Sequence, residues 1–158
     1  MLAEFVYCYL LRPWPLRQLT NWTIRKLLPK QLQIGEATIV LNPNDPVVSG
    51  ALNFGLYEKA ETKFFQTACH PGMTFLDVGA NIGYYTALAA RAVGPNGKVI
   101  ALEPDPESYK YLKQTIAANA VGNVQAFPIA ASDVSATLPL FVSRDNRGDN
   151  RLYRPGAN

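Results

Sequence analysis

The chain has 158 residues, of which 48% are hydrophobic, and a formal net charge of +3 at pH 7. These values are typical of a globular protein with one core, and without a block of like charges they do not indicate nucleic acid as a partner. Two cysteines, Cys8 and Cys69, are too few for a disulfide framework or a zinc site, so we expect a cytoplasmic protein without a metal.

The N-terminal segment is apolar but does not have the pattern of a membrane span. Residues 1–11 are interrupted by Glu4, and no basic region precedes them. The prolines Pro13 and Pro15 end the segment well short of the length that a bilayer requires. We therefore predict neither a signal peptide nor a transmembrane helix.

The first predicted elements are a helix over 16–28 and a strand over 33–41, which together form an N-terminal α/β extension. The apolar stripe of the helix consists of Leu16, Leu19, Thr23 and Leu27. Its basic residues form either a contact surface for an acidic partner or a membrane surface, or an ordinary solvated face. A turn over 42–46 follows the strand, since prolines and asparagines are frequent there.

The next predicted helix covers 57–69 and leads into the first strand of the main sheet. Tyr57 and Glu58, at its start, lie either beside a ligand crevice or in an ordinary first turn, where an acid favours the helix dipole. His70, at its end, is either a general base or a polar residue that terminates the helix.

Residues 73–93 read as a strand over 73–78, a turn over 79–83 and a helix over 84–93, the opening of a nucleotide-binding βαβ unit. Gly79 and Gly83 permit a sharp turn and a close approach by a ligand, or serve only turn geometry and helix packing. Asp77 ends the strand, so we expect its carboxylate at the carboxyl edge of the sheet, where open α/β folds bind ligands.

Two further strands are predicted over 98–103 and 124–129, with a helix over 105–120 between them. Asp105 is a favourable N-cap for that helix, and Tyr109, Leu112 and Ile116 form its inward stripe. Alternating polarity over 138–142 predicts a half-exposed strand, followed by a polar segment over 143–151 with three arginines.

Asp77 favours one class of nucleotide cofactor over another. The dinucleotide fingerprint has glycine at this position, and a carboxylate there would repel a pyrophosphate. S-adenosylmethionine has no phosphate and carries an amine and a positive sulfur, so the carboxylate suits it. Glu103 ends the second strand, where an acid accepts hydrogen bonds from ribose hydroxyls in either class.

Three motifs together resemble the FkbM family of S-adenosylmethionine-dependent methyltransferases: residues 75–86, which read FLDVGANIGYYT, residues 99–104, which read VIALEP, and residues 130–133, which read AASD. Residues 55–58 and 148–152 are also similar to that family, so the resemblance covers about 34–152. It implies an α/β fold, a Rossmann-like class I methyltransferase three-layer sandwich, with S-adenosyl-L-methionine as cofactor.

The resemblance also implies roles for eight residues. The methionine and ribose portion would contact Asp77, Gly79, Ala80, Asn81 and Gly83. Glu103 would hold the ribose hydroxyls, and Ser132 or Asp133 would lie beside the adenine. The implied reaction is methyl transfer to a hydroxyl of a small molecule or a glycan, such as a sugar or secondary metabolite. The alternatives are an NAD-type oxidoreductase and a non-catalytic cofactor-binding module.

The expected fold is incomplete, with three parallel strands where a methyltransferase sheet has more. We therefore expect an N-terminal extension over 1–56 and a partial methyltransferase domain over 57–158, belonging to a longer protein. Because parallel sheets are normally covered on both faces, we also expect this chain alone to bind the cofactor weakly or to be unstable. The sequence indicates no catalytic base.

Overall fold

The computed structural model describes residues 16–143 and 146–153. In chain order its elements are α1 (Leu16–Leu27), β1 (Gln31–Ile34), β2 (Ala37–Val40), α2 (Pro46–Asn53), α3 (Lys59–Ala68), β3 (Thr74–Val78), α4 (Tyr84–Val93), β4 (Lys98–Leu102), α5 (Pro106–Asn119), β5 (Val124–Phe127) and a 3-10 turn (Arg147–Asp149). The predictions for residues 1–15 lie outside the described residues. Within the described part, no helix is long and apolar enough to cross a membrane.

The central sheet is parallel, in the order β3-β4-β5. Its register pairs Asp77 with Ala101 and Val78 with Leu102, and Ala101 pairs in turn with Ala126. The carboxyl ends of the three strands therefore meet at one edge, as βαβ connections require. This confirms the predicted Rossmann-like α/β fold, including the three strands and the helices between them.

One face of this sheet is covered and the other is open. On the covered face, Val99 and Ala101 are fully buried beneath α4 and α5. The opposite face leaves Leu76 and Val78 each 56% exposed, and Phe127 41% exposed. Because side chains alternate along a strand, these residues share a face that would normally be covered. Among the described residues, therefore, the second helical layer of the predicted three-layer sandwich is missing.

The prediction of one strand over 33–41 is wrong, because the chain reverses there. Gly35, at φ +57°, forms the turn, so β1 and β2 pair as an antiparallel hairpin. The hairpin packs on α4 and α5, and Ile39 shares a buried cluster with Ile82 and Ala87. The proposed division of the chain at residue 56 stays a prediction.

Side chains of α5 form hydrogen bonds with the backbone of β2, in the place where a neighbouring strand would otherwise pair with it. Asn119 accepts a hydrogen bond from Thr38 N (2.9 Å) and donates one to Thr38 O (2.6 Å). Thr115 Oγ1 accepts from Val40 N (3.1 Å). These bonds satisfy backbone groups that an edge strand would otherwise leave unpaired, and they fix the hairpin on the helix.

The first two helices differ from the prediction. Among the α1 side chains that the structure describes, Ile24 is the buried one and contacts α2 near Gly50, whereas Leu27 of the predicted stripe is 76% exposed. Helix α2 was not predicted, although Asp45 and Pro46 give it a recognisable start. Asp45 Oδ1 accepts from Val48 N (3.2 Å), and proline is favoured at the first helical position.

The predicted strand over 138–142 is also wrong. Within the described residues this segment meets another part of the backbone at one position, where Phe141 N donates to Arg151 O (2.8 Å) and Arg151 N donates to Phe141 O (3.1 Å). The alternating pattern predicts a half-exposed surface, but a strand also needs a partner along its length. A single bridge therefore links this segment to the polar loop.

Replacing Gly83 with alanine should lower the free energy of unfolding by about 3 kcal/mol. Its φ is +89°, and a Cβ there would lie 2.8 Å from Leu112 Cδ1. Gly79→Ala is the matched control: its φ is +79°, but nothing lies within 4 Å of the new Cβ, so the loss should be about 1 kcal/mol. Urea denaturation measures both, and equal losses would contradict the packing role of Gly83.

Candidate cofactor-binding site

Asp77 lies near the end of β3, where it is 8% exposed. Its Oδ2 accepts a hydrogen bond from the hydroxyl of Thr86, at 2.5 Å, one turn into α4. Thr86 is itself fully buried, so the carboxylate is held in a fixed orientation. The sequence analysis gave Thr86 no role, because a threonine inside a helix carries no signal of the carboxylate opposite it.

The turn after β3 is fastened to the neighbouring strand. The backbone N–H groups of Gly79 and Ala80 both donate to Leu102 O, at 2.9 and 3.0 Å. Asn81 follows in the left-handed region, at φ +48°, a conformation that asparagine tolerates better than most residues. The turn therefore runs from the end of β3 across the end of β4.

Glu103 joins the turn to the start of α5. Its Oε2 accepts from Asn81 N (2.7 Å), and its Oε1 accepts from Asp105 N (2.8 Å). The residue is 6% exposed. Each carboxylate oxygen can accept more than one hydrogen bond, so both retain acceptor capacity for ligand hydroxyls.

Both glycines of the turn have a positive φ, but their surroundings differ. Gly83 packs against α5, where a Cβ would overlap Leu112 and crowd Thr115. Gly79 faces open space, with nothing within 4 Å of a Cβ. Packing therefore explains Gly83, whereas the open space at Gly79 is a place that a ligand can occupy.

An unsatisfied polar atom lies in the same turn. Asn81 Oδ1 is buried and has no hydrogen-bond partner within the described residues. Such atoms are rare in folded proteins, because burial without a partner costs about 1–3 kcal/mol. Together with the open space at Gly79 and the free acceptor capacity of Glu103, this orphaned oxygen fits a hydroxyl- or amine-bearing ligand such as S-adenosylmethionine.

Burial raises the pKa of both acids in the site. For Asp77, the hydrogen bonds from Thr86 oppose the effect of burial, and the charge of Glu58 adds to it. For Glu103, burial outweighs the hydrogen bonds from Asp105 and Asn81, and the charge of Asp77 adds to the shift. Two carboxylates at adjacent strand ends thus make a crevice that favours a cation.

Ser132 and Asp133 lie in an exposed segment beyond β5. With Pro104, they line an open cavity of about 560 Å³. Ser132 Oγ donates to Asp133 Oδ1 (3.2 Å). The structure therefore brings the predicted adenine-side residues next to the residue that follows Glu103, and their contact with the cofactor stays a prediction.

His70 does not belong to this site. It follows α3 and precedes β3, so it lies at the amino end of the strand, whereas Asp77 lies near the carboxyl end. Three residue steps along β3 separate Thr74, at its amino end, from Asp77 by about 10 Å. Of the two interpretations, the structure supports the polar residue at a helix end and not the general base.

Arg147 is a residue of this region that sequence reasoning did not single out among the three arginines of its segment. Its Nη1 donates to Asp105 Oδ2 (2.7 Å), and its Nη2 donates to Glu107 Oε2. Gly148, beside it, is close to the turn, since a Cβ at that glycine would lie 3.9 Å from Asn81 Nδ2. Arg147 therefore fixes the polar loop over the crevice.

The family model of the methyltransferase FkbM domain matches residues 77–155, which include the turn, Glu103 and the Arg147 loop. The chain belongs to the FkbM methyltransferase family. This match confirms the family that the sequence motifs predict. It also confirms S-adenosyl-L-methionine as the predicted cofactor.

Several curated proteins are similar to this FkbM-family chain. Methyltransferase sdnD of Sordaria araneosa is 31% identical over 125 residues, which cover 72% of this chain and 48% of that protein. An arsenite methyltransferase of Halobacterium salinarum is 40% identical over 58 residues, covering 37% of this chain and 15% of that one. A ribosomal RNA large subunit methyltransferase E of Nitrosomonas europaea is 37% identical over 79 residues, covering 47% and 38%.

Solved structures are also similar to parts of the chain. A SAM-dependent methyltransferase from Aquifex aeolicus is 27% identical, with a TM-score of 0.40, and the match covers 52% of this chain and 43% of that one. A SAM-dependent O-methyltransferase from Thermotoga maritima is 18% identical, with a TM-score of 0.44, covering 65% and 49%. The chain spans about half or less of the length of these relatives.

The raised pKa values of Asp77 and Glu103 predict opposite pH dependences for stability and for cofactor affinity. A carboxyl with a higher pKa in the folded state binds more protons when folded, so these groups favour folding as the pH falls toward their ordinary values of 3.8 and 4.5. Their neutral forms attract a cation less, so the affinity for S-adenosylmethionine should fall over the same window.

Urea unfolding and calorimetric titration at about pH 7 and about pH 5 measure the two quantities. Asp77→Asn removes one titrating group, so the pH slopes of this variant should be shallower than those of the wild type. Affinity and stability that fall together with pH would contradict the assignment of these two carboxyls to the site.

Arg147→Ala should lower the free energy of unfolding by about 2 kcal/mol, because it leaves a buried carboxylate without its charged donor. Asp105 is the residue concerned, with a side chain that is 3% exposed. Arg147→Lys should destabilise the protein less than Arg147→Ala does, because lysine keeps the positive charge. It should still be less stable than wild type, because lysine lacks the planar guanidinium group that reaches both acids. Thermal melts measure the changes.

Arg151→Ala is the control for the Arg147 variants. Arg151 is more exposed and pairs with Asp149 inside its own loop, so its removal should change stability little. Equal effects of the Arg147→Ala and Arg151→Ala substitutions would contradict the role of Arg147 in holding the polar loop against the start of α5.

Proposed function

We propose that this chain forms the cofactor-binding part of an S-adenosylmethionine-dependent methyltransferase that methylates a hydroxyl oxygen of a small molecule or a glycan. The observation that carries the proposal is the pair of buried carboxylates, Asp77 and Glu103, at the ends of two adjacent parallel strands. Family membership supports the same cofactor.

The charge of the crevice argues against a dinucleotide. A pyrophosphate would have to lie on the turn before α4, between the carboxylates of Asp77 and Glu103, and like charges at short range in a poorly solvated site repel strongly. S-adenosylmethionine presents an ammonium group, a sulfonium and ribose hydroxyls, for which carboxylates are suitable partners. We therefore favour methyl transfer over the oxidoreductase alternative.

Each residue of the site has a proposed role in binding. Asp77, oriented by Thr86, would attract the ammonium group at the methionyl end. Glu103 would accept hydrogen bonds from the two ribose hydroxyls, and Asn81 Oδ1 would gain the partner that it lacks. Gly79 would leave room for the ligand, and Ser132 and Asp133 would flank the adenine. These roles are what the resemblance to the FkbM family implies, and the geometry described above supports those of Asp77, Glu103 and Asn81.

When bound, the cofactor supplies a methyl group on a positive sulfur: the acceptor oxygen forms the new bond to carbon, the carbon–sulfur bond breaks with its electron pair on sulfur, and the hydroxyl proton leaves to water. Such a displacement depends mainly on alignment of the two reactants. The contribution of this chain is therefore to hold the donor still, through Glu103, Asp77 and the fastened turn.

Calorimetric titration of the protein with S-adenosylmethionine and with NAD tests the cofactor assignment. We expect binding of the first and none of the second. Asp77→Asn should weaken S-adenosylmethionine binding by about tenfold or more, because it removes a charge-assisted contact while it keeps an acceptor for Thr86. Glu36→Gln, which changes the net charge equally at an exposed position of the turn between β1 and β2, should leave the affinity unchanged.

A stronger binding of NAD than of S-adenosylmethionine would overturn the assignment in favour of the oxidoreductase alternative. An unchanged affinity in Asp77→Asn would remove the central role of that carboxylate.

The acceptor is tested by transfer of a radiolabelled methyl group from S-adenosylmethionine, using the full-length protein. The panel contains sugars and small alcohols, with ribosomal RNA, arsenite and an isoaspartyl peptide as comparisons, because relatives carry those names. We expect label on a hydroxyl oxygen of a sugar or small alcohol. Label on RNA, arsenic or a carboxyl would contradict the proposed acceptor class, and no transfer to any acceptor would favour a non-catalytic binding module.

A further inference from the structure

A cavity of about 490 Å³ lies between α3 and the free edge of β3. Three of its lining residues are acids, namely Glu58, Glu61 and Asp77, and Phe64, Phe65 and Phe75 form much of its apolar wall. No lysine or arginine is among the described residues that line it. The cavity opens beside Asp77 and therefore adjoins the site assigned to the cofactor.

The charges of α3 are divided between its two sides. The cavity on the other side of this helix, toward β1, is lined by Lys59 and Lys63 but by none of the acids. The acids thus face β3 and the lysines face the hairpin. On an ordinary solvated helix surface, acids and lysines are not expected to lie on separate sides. In a cavity that binds a cation, lysines are expected to be absent, because like charges repel.

Glu58 precedes α3 with an unusual backbone. It lies in the left-handed region, with φ +38° and ψ 51°, and its side chain makes no capping hydrogen bond to the helix. A left-handed conformation costs a residue other than glycine about 1 kcal/mol or more. Glu58 therefore differs from an ordinary first-turn acid, since it precedes the helix in a left-handed conformation and its side chain makes no capping hydrogen bond.

Glu58, Asp77 and Tyr85 line the same cavity, and the Tyr85 hydroxyl is buried there without a hydrogen-bond partner among the described residues. Burial raises the pKa of Tyr85 to about 12, and the neighbouring Glu58 adds to that shift. The same charge raises the pKa of Tyr57, after the larger effect of burial, and that of Asp77. Two like charges that line one cavity repel each other, and a cation between them would remove the repulsion.

We propose that Glu58 is a second carboxylate for the cofactor, which together with Asp77 holds the ammonium group at its methionyl end. This inference rests on the proposed function, because it places a residue in the same site. In this proposal, the left-handed backbone before α3 places Glu58 in the lining of the cavity that also contains Asp77.

The experiment compares two ligands that share the adenosine portion. S-adenosylhomocysteine carries the ammonium group, and 5′-methylthioadenosine lacks the whole amino-acid portion. Calorimetric titration of Glu58→Gln should show at least about tenfold weaker binding of S-adenosylhomocysteine, with the affinity for 5′-methylthioadenosine within about twofold of wild type.

Glu61→Gln is the matched control, since Glu61 lines the same cavity one turn farther along the chain. It should leave both affinities within about twofold of wild type, because the proposal assigns the ammonium group to Glu58 and Asp77. A larger loss in Glu61→Gln than in Glu58→Gln would overturn the proposal.

Glu58→Gly separates binding from folding. Glycine adopts the left-handed conformation without strain, so this variant should melt at a higher temperature than wild type and still bind S-adenosylhomocysteine at least about tenfold more weakly. A residue with a purely structural role would not raise stability and lower affinity in one substitution.

The outcomes distinguish a failure of the proposed function from a failure of the role of Glu58. Wild-type protein that binds neither ligand would overturn the proposed function and this inference together. Wild-type protein that binds both, with Glu58→Gln unchanged or with equal losses for the two ligands, would overturn the role of Glu58 and leave the proposed function standing.

Discussion

The hydrogen bonds of the Glu103 carboxylate hold the crevice in shape. One oxygen binds the backbone of the turn after β3, at Asn81, and the other binds the backbone at Asp105, where α5 begins. The same turn is tied to the end of β4 through Leu102. Because a single buried side chain joins two strand ends and a helix start, the positions of Asp77, Gly79 and Asn81 depend on it.

This arrangement concentrates negative charge where many nucleotide-binding folds accept phosphate. The cost is visible in the raised pKa values of Asp77 and Glu103, both caused first by burial. A protein retains such groups where a ligand offsets the cost, and functional sites are where perturbed carboxyls collect. Arg147 is placed beside Asp105 and Glu107 and neutralises the acids of α5, so the remaining negative charge faces the crevice.

The sequence predicted the elements that repeat a strong local pattern. The βαβ unit was predicted almost residue by residue, because Gly79 and Gly83 mark its turn and apolar runs mark its strands. The hairpin and α2 were mispredicted, since Gly35 was read as part of a strand and Asp45 as part of a turn. Thr86 and Arg147 could not have been assigned, because their partners Asp77 and Asp105 lie opposite them only after folding.

A crystal structure of the protein with S-adenosylhomocysteine tests the account most directly. The account predicts the ribose hydroxyls within hydrogen-bond distance of Glu103 and the ammonium group within hydrogen-bond distance of Asp77, with the ligand passing over Gly79. A ligand bound elsewhere, or one oriented with its ribose away from Glu103, would contradict the claim that the paired carboxylates at the strand ends form the cofactor site.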